Sequence, residues 1–532
     1  MVSTIQGGRP AIAGDLLGSL LVLLCSSSCF FDTSAPGLDG SEAHAPEEGT
    51  GAPEDPGAPE GPSDGWGPAD PPSEDPPEGG PSELRAAEGF VGFHGTDGYS
   101  LSWLDRSDGE DRYLLERRGL PGGAFELVAE LPADAESYVD ATAAPASGFV
   151  YRLVAASGDA RGEPATCDSA MPLWTFIRIV DYDGLWGTDG PDLESLTLSH
   201  LTMGLEQHGS NPNLYIVLIG DGYGAEGSIY AHVRAGASDV VTLPEVNMSD
   251  PETYRDFFDW VVAEHPGQRY VVEFWGHGGG ALSDGALGYD DTSGGGGLQP
   301  DEMGSLLDYL AVRSGRRIGL FYLCTCLNGM FENAYAWRRS VDYLVAGETT
   351  VGCAYQPFEA LVANEQTSAR ELALATIDGF RSVPAELGFD VVYCAVDMSV
   401  VGDMPDALSA LADALLELLR RSPGQADLLL RAAGRAQQMA SSYADLHDLV
   451  SQIAASIDDV AVRAACEEVT TLLEAELVLS FVRTDEGGAY SRAHGLSIVH
   501  PTPTSSVYGP FYSGLSFACD TSWDEYVAAL SR

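Results

Sequence analysis

Apolar positions along this chain fall into three successive patterns. Between 83 and 166 they alternate with polar positions in short runs, at 99–103, 113–117, 125–129, 138–140 and 149–155, separated by turns bearing Gly and Asp. Period-two alternation predicts strands with one buried face, and short strands at this spacing predict a small all-β sandwich. From 174 to 400, apolar runs without alternation occur at 176–180, 214–219, 270–275 and 318–323. Such runs predict strands buried on both faces, as in a mostly parallel sheet covered by helices. Residues 192–206 alternate at helical spacing, and helices are expected at 251–264, 300–313 and 328–339. From 401 to 532 the helical period dominates, at 407–419, 426–440, 446–457 and 460–473, with 496–500 as a returning strand. The fold class is therefore α/β, with an all-β module before it and a helical C-terminal part.

Two segments precede these. Residues 1–29 read as a signal peptide of lipoprotein type. Arg9 supplies positive charge, 16–24 form an apolar stretch too short to span a bilayer, and Ser26, Ser27 and Ser28 precede Cys29, a candidate for lipidation. Residues 30–82 are rich in Pro, Gly, Asp and Glu, with no Lys or Arg between 32 and 81. Such a stretch buries too little apolar surface to offset its ordering entropy, so it reads as a disordered, extended tether. Export is expected, either to a bacterial surface through a lipid anchor or as a secreted protein.

The formal net charge of −53 over 532 residues argues against nucleic acid or an anionic membrane surface as partner. Candidate chemistry sits at the ends of two of the buried runs. The run 270–276 ends at His277 and Gly278, and the run 318–323 ends at Cys324, Thr325 and Cys326. In open α/β sheets ligands gather at the carboxyl ends of strands. A thiol there becomes a nucleophile when an imidazole helps to deprotonate it. Cys326 would attack a scissile carbonyl, His277 would carry the proton to the leaving amine, and the N–H groups of Gly278 and Cys326 would hold the oxyanion. Cys324 is a rival nucleophile, because residues 324 and 326 share a face if the strand continues.

The segment Leu323-Cys324-Thr325-Cys326-Leu327-Asn328-Gly329, followed by Glu332-Asn333-Ala334-Tyr335, resembles the nucleophile segment of the clostripain family of cysteine peptidases. Trp275-Gly276-His277-Gly278-Gly279-Gly280 is similar to that family's histidine segment, and Gly288-Tyr289-Asp290-Asp291, 341–348, Tyr443-Ala444-Asp445-Leu446 and 493–498 recur in order. The resemblance runs from Trp174 to the end and implies a caspase-like α/β fold, a Cys–His dyad with Cys326 as nucleophile, peptide or protein substrates, and cleavage after Arg or Lys. Where the family carries an Asp that helps line the pocket for a basic side chain, this chain has Cys324. A buried cation without a carboxylate is costly, which leaves Glu348 as the candidate substitute acid. Asn328 replaces the family's Met, which reads as a packing difference. No cofactor is required for the chemistry. Calcium is associated with clostripain, and Asp181, Asp183, Asp189 and Asp192 form a carboxylate-rich loop without EF-hand spacing.

Residues 83–166 resemble a fibronectin type III domain, with Trp103 as its early core tryptophan and Phe149 where many members carry the corner tyrosine. Such a module serves as spacer or attachment unit. The nine cysteines show no framework spacing, and Cys167–Cys519 and Cys324–Cys353 stand as candidate bridges. No zinc pattern or phosphate-binding loop is present, and Gly-rich 294–297 reads as a flexible loop. The alternative to a peptidase is a catalytically inactive, peptidase-like surface binding protein.

Overall fold

The computed structural model describes residues 83–531 apart from 121, 144–147, 182–204, 222–227, 283–285, 291, 294, 352–356, 383–390, 441, 484–487 and 505–510. The expected leader and tether, most of the 192–206 helix, and Asp183, Asp189 and Asp192 lie outside the described residues. No helix among the described residues is long and apolar enough to cross a membrane.

The alternating region forms β1 (Glu88–Gly95), β2 (Gly98–Leu104), β3 (Arg112–Gly119), β4 (Glu126–Pro132), β5 (Ser137–Asp140), β6 (Phe149–Ser157), β7 (Ala160–Arg161) and β8 (Ala165–Asp168). One sheet runs β1-β2-β5; the other runs β4-β3-β6, with β7 and β8 both on β6. This is a β-sandwich of fibronectin type III likeness, closed around Trp103, Tyr113 and Tyr151. Phe149 brings no hydroxyl, but Tyr151 donates to Asp140 Oδ2 at 2.8 Å, so a tyrosine two residues on satisfies this corner. The module is docked rather than merely strung on. Gln268 is buried, accepts the Gly92 N–H at 2.8 Å and donates to Gly92 O at 2.7 Å and Met171 O at 3.0 Å.

The second region holds β9 (Trp174–Asp181), β10 (Leu214–Asp221), β11 (Ile229–Arg234), β12 (Ala237–Thr242), β13 (Arg269–Trp275), β14 (Ile318–Cys324), β15 (Val341–Gly347) and β16 (Val392–Asp397). Later come β17 (Gln438–Ala440), β18 (Tyr443–Asp445), β19 (Val478–Arg483) and β20 (Ser497–Val499). The main sheet has the order β12-β11-β10-β9-β13-β14-β15-β16-β19. Its centre, from β10 to β15, is parallel, and its flanks are antiparallel. The expected mostly parallel sheet is therefore a mixed one. The links 222–228 and 235–236 are too short for the crossover that a parallel pair needs.

Helices cover both faces, as buried strands require. Pro251–Glu264 starts at Asp250, whose side chain accepts the Glu252 N–H, and Pro300–Ser314 stops at Gly315 with φ of 66°. These two, with Phe331–Trp337 and the C-terminal helices Met404–Arg421, Leu446–Ser456, Val460–Leu472 and Trp523–Leu530, pack on one face. Pro357–Ala363 and Ala369–Arg381 cover the other. Two expected helices are shorter than predicted. The 426–440 helix ends at Arg435 because the Gln437 N–H goes to the Asp448 carboxylate, 2.6 Å away, and β17 follows. The 328–339 helix begins only at Phe331, since 328–330 build a turn described below.

Glu332 is buried at the start of that helix, accepting the Val499 N–H at 2.9 Å and the Tyr512 hydroxyl at 3.1 Å. Burial pushes its carboxyl from 4.5 up to about 7. The folded chain thus holds this proton more tightly than the unfolded chain. The stabilisation is complete below about 4.5 and is lost as pH rises to about 7. Glu332→Gln is expected to remove that share of the slope, a difference of roughly 3 kcal/mol between the ends of the window. Urea unfolding of both proteins between these pH values checks it; parallel stability curves would refute it.

Candidate active site

β13 and β14 are parallel neighbours with Trp275 opposite Cys324. His277 and Cys326 each lie two residues beyond that pair, so the topology brings the two expected residues to one end of the sheet. The chain turns sharply after Cys326: Leu327 has φ of 60°, a strained value for a residue with a branched side chain. The surrounding bonds hold that turn. Leu327 N donates to Thr349 O at 2.9 Å, Gly329 N to Gly347 O at 2.7 Å, and Ser497 N to Gly329 O at 2.9 Å. Asn328 is not simple packing in place of Met. Its buried amide donates to Thr325 Oγ1 at 2.7 Å and Ala286 O at 3.1 Å, and accepts from Asn333 at 2.8 Å.

Cys326 is 3% exposed, and its sulfur accepts the Val351 N–H at 3.4 Å. An N–H aimed at sulfur favours the thiolate over the thiol. His277 is half-buried on a loop that Gly278 seats directly against the Cys326 turn. A Cβ at Gly278 would meet Cys326 O at 2.2 Å, Asn328 Nδ2 at 2.5 Å and Cys326 N at 2.8 Å, so only glycine fits. The far side of the loop is clasped by Tyr443, whose hydroxyl donates to Gly279 O at 2.8 Å and accepts from Leu282 N at 2.9 Å. The backbone N–H groups of Gly278 and Cys326 are thus close together.

Cys324 and Cys326 do not share a face, contrary to the expectation from a continued strand. β14 ends at Cys324, which packs in the apolar cluster with Tyr322 and Trp275, whereas Cys326 packs on the opposite side with Leu323 and Met330. Cys324 is disulfide-bonded and Cys326 is a free thiol. Cys353 lies outside the described residues. The candidate Cys167–Cys519 bridge is not formed. The Cys167 thiol is buried, 3.2 Å from Gln268 Oε1, and Cys519 is exposed. Glu348, the candidate pocket acid, is fully buried, accepts the Gly495 N–H at 3.1 Å, and has its carboxyl pushed well up by burial and by neighbouring Asp445. Its carboxylate is thus engaged inside the protein, with Gly495 and Asp445. Of the carboxylate-rich loop only Asp181 is described. It is buried at the end of β9 beneath Gly276.

Three contributors escaped the sequence reading: Val351 as a donor to sulfur, Asn328 as a polar strut, and Tyr443 as a clasp. Tyr443 carried a signal through its place in the Tyr-Ala-Asp-Leu motif, and Asn328 through its departure from the family's Met.

The clostripain family profile matches residues 188–529. No curated protein matches the chain. Among solved structures, a secreted C11 cysteine protease from Bacteroides thetaiotaomicron, in complex with an irreversible peptide inhibitor, is 16% identical with a TM-score of 0.50, covering 66% of this chain and 100% of that one. An inactive zymogen C11 protease from Parabacteroides distasonis is 17% identical with a TM-score of 0.49, over 66% and 98% of the two chains. An Fn3-like protein from Clostridium thermocellum is 19% identical with a TM-score of 0.15, over 16% of this chain and 90% of that one. With a profile match spanning most of its length, this chain belongs to the clostripain family of cysteine peptidases.

Proposed function

We propose that the protein is an exported cysteine endopeptidase in which Cys326 is the nucleophile and His277 its general base and acid. The observation that carries this reading is the seating of Gly278 on the Cys326 backbone, at the joined ends of β13 and β14. His277 takes the thiol proton as sulfur attacks the carbonyl carbon, then delivers it to the departing amine. The N–H groups of Gly278 and Cys326 receive the oxyanion, and water then hydrolyses the acyl-enzyme with His277 acting again as base. Export rests on the apolar 16–24 stretch, and a lipid anchor on Cys29, both read from sequence.

The residue before the cut is proposed to be uncharged. Cys324 stands where the family carries its acid, and Glu348 is committed to Gly495 and Asp445. A positional peptide library digested by the purified chain, with and without reductant because Cys324 is bridged, tests both parts. Cleavage after neutral residues is expected. Preference for Arg or Lys would overturn the pocket assignment, and no cleavage in either condition would overturn the peptidase.

A further inference from the structure

Three segments distant in sequence meet in the C-terminal part and bring two imidazoles and two carboxylates together. Asp445 ends β18, and His447 opens the helix Leu446–Ser456. His494 precedes β20, and Glu474 lies on a π-helical turn, Leu473–Leu477. Asp445, His447 and His494 each offer a ligand atom within 4.8 Å of the others. Glu474 Oε1 is 2.8 Å from His447 Nε2, and His494 Nδ1 is 3.4 Å from Asp445 Oδ1.

Ion pairing alone accounts poorly for this arrangement. The two imidazole rings stack with centroids 3.9 Å apart, and two imidazolium rings so placed would repel. His447 Nδ1 is buried with no hydrogen-bond partner among the described residues, a costly state for a ring nitrogen. Beside the cluster opens a cavity of about 280 Å³, lined by both histidines, Glu474 and apolar Leu473, Val478 and Phe481. Single π-turns of the kind that carries Glu474 recur at functional sites.

We propose that Asp445, His447 and His494 bind a divalent transition ion of the zinc class, with Glu474 as the outer partner of the His447 ring. Two imidazole nitrogens with a carboxylate oxygen suit zinc and its neighbours, whereas calcium and magnesium take all-oxygen sets. Zinc bonds near 2.0–2.2 Å place tetrahedral donors about 3.3–3.6 Å apart. The Asp445–His494 edge already has that length. Asp445 is fixed by the N–H groups of Asp448 at 2.7 Å and His494 at 2.5 Å, the outer support that a metal carboxylate needs. Glu474 holds His447 Nε2 at 2.8 Å, which leaves the unpartnered Nδ1 as that ring's donor to the ion. The bound ion would tie β18, β20 and the π-turn into one unit. Because β20 holds Gly329 O through the Ser497 N–H, it would also brace the nucleophile turn.

The test uses the full chain as Cys326→Ala/Cys519→Ala, which removes the active-site thiol and the exposed one, stripped with a chelator and titrated with zinc chloride by calorimetry. One ion per chain is expected, with a rise in melting temperature on zinc addition. His447→Gln and His494→Gln should each weaken binding about 10- to 100-fold. His232→Gln, at a separate close histidine pair (His232 and His265, rings 4.2 Å apart), should leave it unchanged. Melting of the metal-free variants reports whether they fold, and Glu474→Gln on the surface gives a second, milder reading. Absence of saturable binding overturns the proposal, as does binding that survives the His447→Gln/His494→Gln double substitution.

Discussion

Cys326→Ala is expected to abolish peptide cleavage, lowering kcat/KM by about 10⁴-fold or more, as for other enzymes stripped of their nucleophile. The fold should survive, because the side chain loses one sulfur while the turn around Leu327 stays pinned by Thr349, Gly347 and Ser497. His277→Ala should cost a comparable factor, and the two losses should not add, since the residues act on one proton. Cys324→Ala separates the rival nucleophile from the proposed one. Its sulfur is already bridged, so cleavage should persist, with any change confined to substrate preference and stability. Retained activity in Cys326→Ala, or complete loss in Cys324→Ala with an intact fold, would reverse the assignment. Steady-state kinetics on one cleaved library peptide, with circular dichroism of each variant, gives the answer.

The second large effect concerns stability. Arg178 on β9 and Glu273 on β13 face each other in register at the centre of the sheet, both wholly inaccessible, with Nε and Oε2 2.6 Å apart. Burial raises the Glu273 carboxyl more than the Arg178 charge lowers it, so the pair is held at a cost. Arg178→Met leaves a buried carboxylate without its cation and should destabilise the chain by about 3–5 kcal/mol. Adding Glu273→Leu should recover most of that loss, since an apolar pair of similar volume carries no desolvation penalty. The Arg178→Met defect should also grow as pH rises, because an isolated buried glutamate folds best when protonated. Chemical denaturation of the single and double variants measures all three statements. A double variant no more stable than Arg178→Met would show that packing, not charge, is at stake.

Much of this was legible in the chain itself. The β14 run is buried at every position, and continuous burial writes a continuous apolar sequence. Pro251–Glu264 was found at its observed ends because its cap and its first proline are local features. The two sheet-end residues were legible as well, since strands of a parallel sheet deliver their chemistry at their carboxyl ends.

Other features were out of reach because they depend on non-local partners. The helix expected to reach 440 stops at Arg435 because Asp448, from another helix, takes a backbone N–H. Glu348 looked like a pocket acid in sequence, yet Gly495 and Asp445 draw it inward. Sequence alone therefore determined the buried strands and the placing of His277 and Cys326 at the ends of two of them, which follow from local periodicity and from the order of the chain. Only the tertiary structure decided which cysteine is free, what holds the nucleophile turn, and that Asp445, His447, Glu474 and His494 meet. Those outcomes depend on bonds between segments up to about 170 residues apart, as between Ser497 and Gly329, and hydrophobic patterning carries no record of them.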